Sequence, residues 1–254
     1  MKTTLEVLFT PADFETLSQR DLSETVCVVF DVLRASSSMA TALANGAEEI
    51  VPVATIQEAL DLRKADPETV LAGERDGLRI GTELTGSIEF DLGNSPREFT
   101  SERVRSRRIV MTTTNGTCAL RACAGAKRVL VGAFINLKAT IDFLQQLAPQ
   151  NLIVVCSGTF EQAAYEDSLA AGALCDAMWS AFANGDIADS ALIARELYRG
   201  NKTNLIGAIS SSRNGRRLLA NPELAQDVAF CAQKDLYDLA GELGKDGHLR
   251  RLVT

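Results

Sequence analysis

A short apolar strand, a loop of small polar residues and a helix follow one another repeatedly along the chain. Thr25–Asp31 (TVCVVFD) leads into LRASSS and the helical ATALANGA. Arg108–Thr112 (RIVMT) leads into TTNGT and CALRACAGA, and Asn151–Cys156 (NLIVVC) into SGTFEQ and YEDSLAAGALCDAMWSAFA. Continuous apolar runs without polar alternation predict strands buried on both faces, as in a largely parallel or mixed sheet. The same reading places strands over Thr4–Phe9, Glu49–Val53, Thr69–Ala72 and Arg128–Gly132, and helices over Ile56–Ala65 and Leu137–Leu147. From about Asp186, the segments IADSALIARELYR and LIGAISSSRNGRRLLA carry apolar residues at three- and four-residue spacing, which predicts a helix-rich C-terminal portion. Strand alternating with helix predicts a three-layer α/β/α architecture, with a mostly parallel or mixed sheet and one domain over residues 1–254. Ligands of such sheets sit at the carboxyl ends of the strands, so the polar loops are expected to converge there.

Composition narrows the function classes. Hydrophobic residues make up 46% of the 254, enough for a large core, and no run of about 18 apolar residues occurs that would span a membrane. The start, MKTTLEVLFTPADFETL, meets Asp13 and Glu15 before any signal-length apolar stretch, so it reads as a first strand and helix. Six cysteines lie scattered in apolar surroundings without a C-x-x-C pair, and they are expected to be buried, reduced thiols of a cytoplasmic protein. With His248 the sole histidine, zinc ligation is not expected. A net charge of −7 argues against a nucleic-acid surface, and the basic stretch Arg103, Arg105, Arg107, Arg108 holds no aromatic residue for stacking bases. An acidic protein that binds an anion needs a concentrated cationic pocket or a metal.

The strand-to-helix loops carry that chemistry. In the first, Asp31 presents a carboxylate at a strand end and Arg34 offers a planar donor fork suited to phosphate or sulfonate. Ser36, Ser37 and Ser38 open a helix whose free N–H groups favour an anion. In the second loop, Thr113, Thr114, Asn115, Gly116 and Thr117 supply more hydroxyls and backbone donors than a single N-cap requires. Gly73-Glu74-Arg75-Asp76-Gly77 and Phe90-Asp91-Leu92-Gly93-Asn94-Ser95-Pro96 each set an acid beside turn residues. In the third loop, Ser157 and Gly158 precede Glu166 and Asp167 at a helix start. Common nucleotide-binding loops are absent, as are a Cys-x5-Arg phosphatase signature, an Asp-x-Asp motif and a histidine nucleophile. What remains is chemistry with carboxylates, arginines, hydroxyls and a hard cation.

Taken together, DVLRASSS, GER, FDLGNSP, TTTNGT, GAFINLKA and CSGTFEQAAYEDSLAAG resemble the 2-phosphosulfolactate phosphatase family from about Thr25 to Gly172. A looser echo lies in SRNGRRLLANPELAQDVAFCAQKD, and the tail GELGKDGHLRRLVT matches weakly. The resemblance implies a magnesium-dependent hydrolase that converts 2-phospho-3-sulfolactate and water to 3-sulfolactate and phosphate, a step toward coenzyme M or sulfolactate. On that reading Asp31, Glu74 and Asp167 are candidate Mg²⁺ ligands, with Asp91 and Glu166 in reserve. Arg34 and Arg75 stabilise charge on the phosphoryl oxygens, and either water or Asp31 is the nucleophile. Asn94, Ser95, Ser157, Gly158 and the serine and threonine loops contact the substrate. A homodimer is expected from family analogy and the apolar helical tail. The competing readings are a phosphatase for another small phosphorylated acid and a non-catalytic small-anion sensor.

Overall fold

Buried apolar runs form the strands that their composition predicts. The computed structural model describes residues 3–252. Its strands are β1 (Thr4–Leu8), β2 (Thr25–Phe30), β3 (Glu49–Pro52), β4 (Val70–Arg75), β5 (Leu78–Arg79), β6 (Arg108–Thr112), β7 (Arg128–Gly132), β8 (Asn151–Cys156), β9 (Asp186–Ile187), β10 (Gly241–Leu243) and β11 (Leu249–Arg251). Every residue of β2 is buried, as a strand covered on both faces requires. The strands make one mixed sheet in the order β5-β4-β6-β3-β11-β10-β7-β2-β8-β1-β9, with helices on both faces, so the architecture is α/β/α. Among the described residues, no helix is long and apolar enough to cross a membrane.

Three elements depart from the sequence reading. β4 does not stop at Ala72 but continues through Arg75, because Glu74 and Arg75 pair with Arg79 and Leu78 of β5. The acid and arginine of GER therefore lie on a strand and not in a turn. The C-terminal portion is helical only to Cys231. The weakly matching tail then returns as the hairpin β10–β11, which enters the middle of the sheet between β7 and β3. Asp246-Gly247, with Gly247 at φ +79°, makes the turn of that hairpin.

That hairpin also changes how the loops meet. β7, β2, β8, β1 and β9 run parallel to one another, as do β4, β6 and β3. Three antiparallel pairings separate the two groups, so they run in opposite senses along the sheet. A flat sheet would put the carboxyl ends of β2 and β6 at opposite edges. With about 20–25° of twist between neighbours, the five steps from β6 to β2 accumulate roughly 100–125°. The sheet curls about two helices, Ala35–Ala44 and Gly116–Ala122. One core cluster joins Val29, Val131 and Val155 of one group to Ala72, Ile109 and Met111 of the other, through Ala35, Met39, Ala119 and Leu120 of these helices. The loops after β2, β4, β6 and β8 consequently face one cleft.

Candidate active site

The cleft is open to solvent and is lined by residues from all four loops. Of the residues singled out from the sequence, it brings together Asp31, Arg34, Glu74, Asn94, Thr114, Asn115 and Gly158. The second loop packs tightly against the first at Gly116. A Cβ there would lie 2.6 Å from Oδ2 of Asp31 and 2.7 Å from the Ala35 methyl, so only glycine lets the second loop pack against the first. Asn115 Nδ2 donates to the Gly158 carbonyl at 3.1 Å and ties the second loop to the third. Gly158, at φ +71°, makes the bend after β8 that a side chain would strain.

Asp31 is buried at the end of β2 and lines the cleft. Its Oδ1 accepts the N–H of Ala35 at 3.0 Å, and its carbonyl accepts that of Ser36 at 2.9 Å. Asp31 is thus itself the anion at the start of the helix. Burial pushes its carboxyl up to about 6; hydrogen bonds from Ala35 and Ser157 oppose this, and the charges of Glu74 and Glu166 add to it. Glu166 and Asp167 are likewise raised, chiefly by burial, and Asp167 is raised further by Glu166 and Asp31. Three carboxyls are thus held up chiefly by their burial, and the charges of Glu166 and Asp31 add to the effect at Asp167.

Several predicted contacts are used inside the protein instead. Ser36 Oγ accepts the Asp31 N–H at 3.0 Å and Ser37 Oγ donates to the Val32 carbonyl at 2.8 Å, so neither lines the cleft. Thr113 and Thr117 close on each other through reciprocal side chain to backbone bonds. Their loop therefore spends its surplus hydroxyls on its own shape. Ser157 Oγ and the Gly158 N–H both donate to Asp167 Oδ2, and the Val32 N–H donates to Oδ1 at 2.8 Å. Asp167 thereby clamps the first loop to the third from behind. Arg75 turns its guanidinium to the Glu74 carbonyl and Thr112 Oγ1, outside the cleft lining. Asp91 lies elsewhere, on the flank of β4, paired with Arg63 and accepting the Leu71 N–H at 2.8 Å. The turn residues around Asp91 hide this, because its partners come from a helix and a strand distant in sequence.

Arg34 is held by a residue the sequence reading did not single out. Its Nη1 donates to Oδ2 of Asp227 at 2.8 Å and its Nη2 to the Gly77 carbonyl at 2.7 Å. Asp227 is fully buried, and its other oxygen accepts from Ser95 Oγ at 2.7 Å and Arg97 Nε at 2.8 Å. Ser95 thus serves this network and not the cleft surface. Two of the five guanidinium N–H groups of Arg34 have these partners, and the side chain borders the cleft. Asn214, Arg217 and Phe160 also line the cleft and were missed. Asn214, Arg217 and Asp227 all lie in the C-terminal stretch that echoed the family, but their residue types alone gave no spacing to act on.

The cysteines have no place in this chemistry. Burial holds the Cys156 thiol well above its ordinary value and pushes Cys175 and Cys231 up to about 12. All six thiols are free, and Cys118 is exposed, contrary to the expectation of uniform burial. His248 lies beside Glu49 and Arg250 at the hairpin, remote from the cleft lining.

Whether the residues suit a magnesium ion turns on which oxygens remain available. Both oxygens of Glu74 are occupied, by the Gly77 N–H and by the N–H and hydroxyl of Thr114. Those of Asp167 are occupied as described. Oε1 of Glu166 accepts from Asn214 at 2.7 Å, whereas Oε2 is buried with no hydrogen-bond partner. Among the described residues no group of three or more acidic, cysteine or histidine side chains forms a ready metal cage. Mg²⁺ needs less, one or two carboxylates with water and phosphate oxygens completing its shell. Asp31, in the cleft lining, and the orphaned oxygen of Glu166, which is not part of that lining but whose charge acts on Asp31, fit that requirement.

Comparison with known proteins identifies the family. The model of the 2-phosphosulpholactate phosphatase family matches residues 12–246. A probable 2-phosphosulfolactate phosphatase of Synechococcus sp. (strain JA-3-3Ab) is 41% identical over 214 residues, covering 82% of this chain and 84% of its own. Proteins of the same description from Pseudothermotoga lettingae and Caldanaerobacter subterraneus subsp. tengcongensis are 36% and 35% identical. The first covers 97% of this chain and 99% of its own length, the second 93% and 95%. The chain belongs to the 2-phosphosulfolactate phosphatase family of phosphoric monoester hydrolases.

Proposed function

We propose that this protein hydrolyses 2-phospho-3-sulfolactate to 3-sulfolactate and phosphate with the aid of Mg²⁺. The observation that carries the reading is the pairing in one cleft of a buried carboxyl, Asp31, with a buried guanidinium, Arg34, on a single strand-to-helix loop. In the reaction the ester oxygen–phosphorus bond breaks, water oxygen bonds to phosphorus, and the leaving alkoxide takes up a proton. Arg34, fixed by Asp227 and Gly77, directs its remaining N–H groups at the phosphoryl oxygens and is already in place when charge develops there. Asp31 and Glu166 would hold the cation, with Asn214 fixing the Glu166 carboxylate. The bound ion supplies Lewis-acid stabilisation of the phosphoryl oxygens. Free thiols, five of them buried, suit a cytoplasmic enzyme, and a homodimer belongs to the same reading.

Exhaustive chelation is the test. Phosphate release from 2-phospho-3-sulfolactate should vanish and return on adding Mg²⁺. Unchanged turnover by metal-free protein would remove the cation from the reading, and no release under any metal condition would remove the substrate. Protons also compete with the cation for Asp31, whose carboxyl titrates at about 6. The Mg²⁺ concentration for half-maximal activity should therefore rise as pH falls below about 6 and level off above it. A Mg²⁺ requirement that does not change between about pH 5 and 8 would count against Asp31 as a ligand.

A further inference from the structure

The turn between β4 and β5 anchors two arginines side by side. Arg34 Nη2 donates to the carbonyl of Gly77 at 2.7 Å, and Arg217 Nη2 donates to the carbonyl of the preceding residue, Asp76. A Cβ on Gly77 would lie 3.6 Å from Nη2 of Arg217, so the turn backbone lies directly beneath that guanidinium. The two arginines reach the turn from different elements, one from the loop after β2 and the other from the helix Arg213–Leu219.

Their charges are balanced very differently. Arg34 has the buried carboxylate of Asp227. Arg217 has a carbonyl and the ring of Phe160, 6.0 Å away, and among the described residues it makes no ion pair. Its neighbours Arg213 and Arg216 point to Gln162 and the Ser211 carbonyl, so Arg217 alone of the three lines the cleft. Two like charges set on consecutive carbonyls repel, and only one has a counter-ion among the described residues. A substrate with a second anionic group supplies the other.

We infer that Arg217 determines specificity by pairing with the non-reacting anion of the substrate, its sulfonate or its carboxylate. This rests on the proposed function, because it assumes a phosphate ester with a further negative group. Arg34 addresses the phosphoryl oxygens, and Arg217, with Phe160 stacked against it, addresses the far end of the molecule. Since that anion does not react, the interaction is equal in ground and transition states and acts on KM more than on kcat.

The test compares the parent with Arg217→Met and Arg217→Lys. The position is exposed on a short helix, so both variants should fold. Measured is the ratio of kcat/KM for 2-phospho-3-sulfolactate to kcat/KM for p-nitrophenyl phosphate, which has no second anion. Arg217→Met should lower this ratio about 10–100-fold, the effect of losing a hydrogen-bonded charge, mostly through KM. Arg217→Lys should restore part of it. Parallel assays with 2-phospholactate and with 2-(phosphooxy)ethanesulfonate identify the anion, because only the ester carrying the recognised group loses ground in the variant. A ratio within about threefold of the parent in Arg217→Met would overturn the assignment. A parent enzyme with no preference for doubly charged esters would instead overturn the proposed function, and the role of Arg217 with it.

Discussion

Replacing Asp31 by Asn is expected to lower kcat by about 10²–10⁴-fold, the range for losing a positioned acid–base group, while making the metal-free protein more stable near neutral pH. The two effects have one cause. Asp31 is buried, and its folded-state carboxyl titrates at about 6 against an ordinary 3.8. At ~1.36 kcal/mol per pH unit, the ionised side chain costs the metal-free fold about 3 kcal/mol as an upper figure. Because the folded value is raised, the stabilising contribution of the carboxyl is fully present below about pH 4. It is lost as pH rises from about 4 to 6 and stays lost above. The amide of the Asp31→Asn variant carries no charge at any pH, so its advantage should be absent at about pH 4 and complete at about pH 7.5. Chemical denaturation in chelator at those two pH values, together with steady-state kinetics in Mg²⁺, measures both halves. A folded Asp31→Asn enzyme working within about threefold of the parent would show that catalysis does not centre on this loop.

The second large effect is expected at Asp227, far from the reacting atoms in sequence. Asp227→Ala removes the one carboxylate that pairs with Arg34 among the described residues. The Arg34 side chain is 3% exposed, and Ser95 and Arg97 lose their acceptor as well. Leaving a charge buried without its partner costs about 3–5 kcal/mol, which in a chain of this length lowers Tm by roughly 10 °C. Activity should fall with it, since Arg34 loses one of its two fixed contacts. Asp227→Asn keeps an acceptor at this position and should fall between Asp227→Ala and the parent in Tm. A melting curve of Asp227→Ala that overlays the parent's would mean the Arg34 site relaxes or hydrates freely, against its burial in the fold.

Much of the fold was legible because local rules decided it. The β2, β6 and β8 runs have unbroken apolar, buried centres, which mark strands covered on both faces. The long-range arrangement was not legible. Nothing in GELGKDGHLRRLVT except Asp246-Gly247 announces a hairpin, and three-residue strands carry too little periodicity to be read. Yet that hairpin sets the two halves of the sheet against each other and so creates the cleft.

The site divides along the same line. Asp31, Arg34, Glu74, Thr114 and Asn115 were found because strand-end loops are where ligands meet such sheets. Ser36, Thr113, Ser157 and Asp167 have the same residue chemistry, but their polar atoms are consumed in holding the loops, a distinction that depends on side-chain direction. Asp227 and Arg217 stand on helices, at positions where an acid or an arginine on a solvated face would look the same in sequence.

Release of phosphate in this cleft from an ester that carries a second strong anion can be measured directly. The decisive quantities are kcat/KM for 2-phospho-3-sulfolactate and for p-nitrophenyl phosphate, side by side, with the purified protein in Mg²⁺. Expected for the first is a kcat/KM of at least about 10⁴ M⁻¹ s⁻¹, in the ordinary range for an enzyme on its own substrate, and for the second a value lower by roughly 100-fold or more. Equal values for the two esters, or no phosphate release from 2-phospho-3-sulfolactate, would contradict the assignment of this cleft.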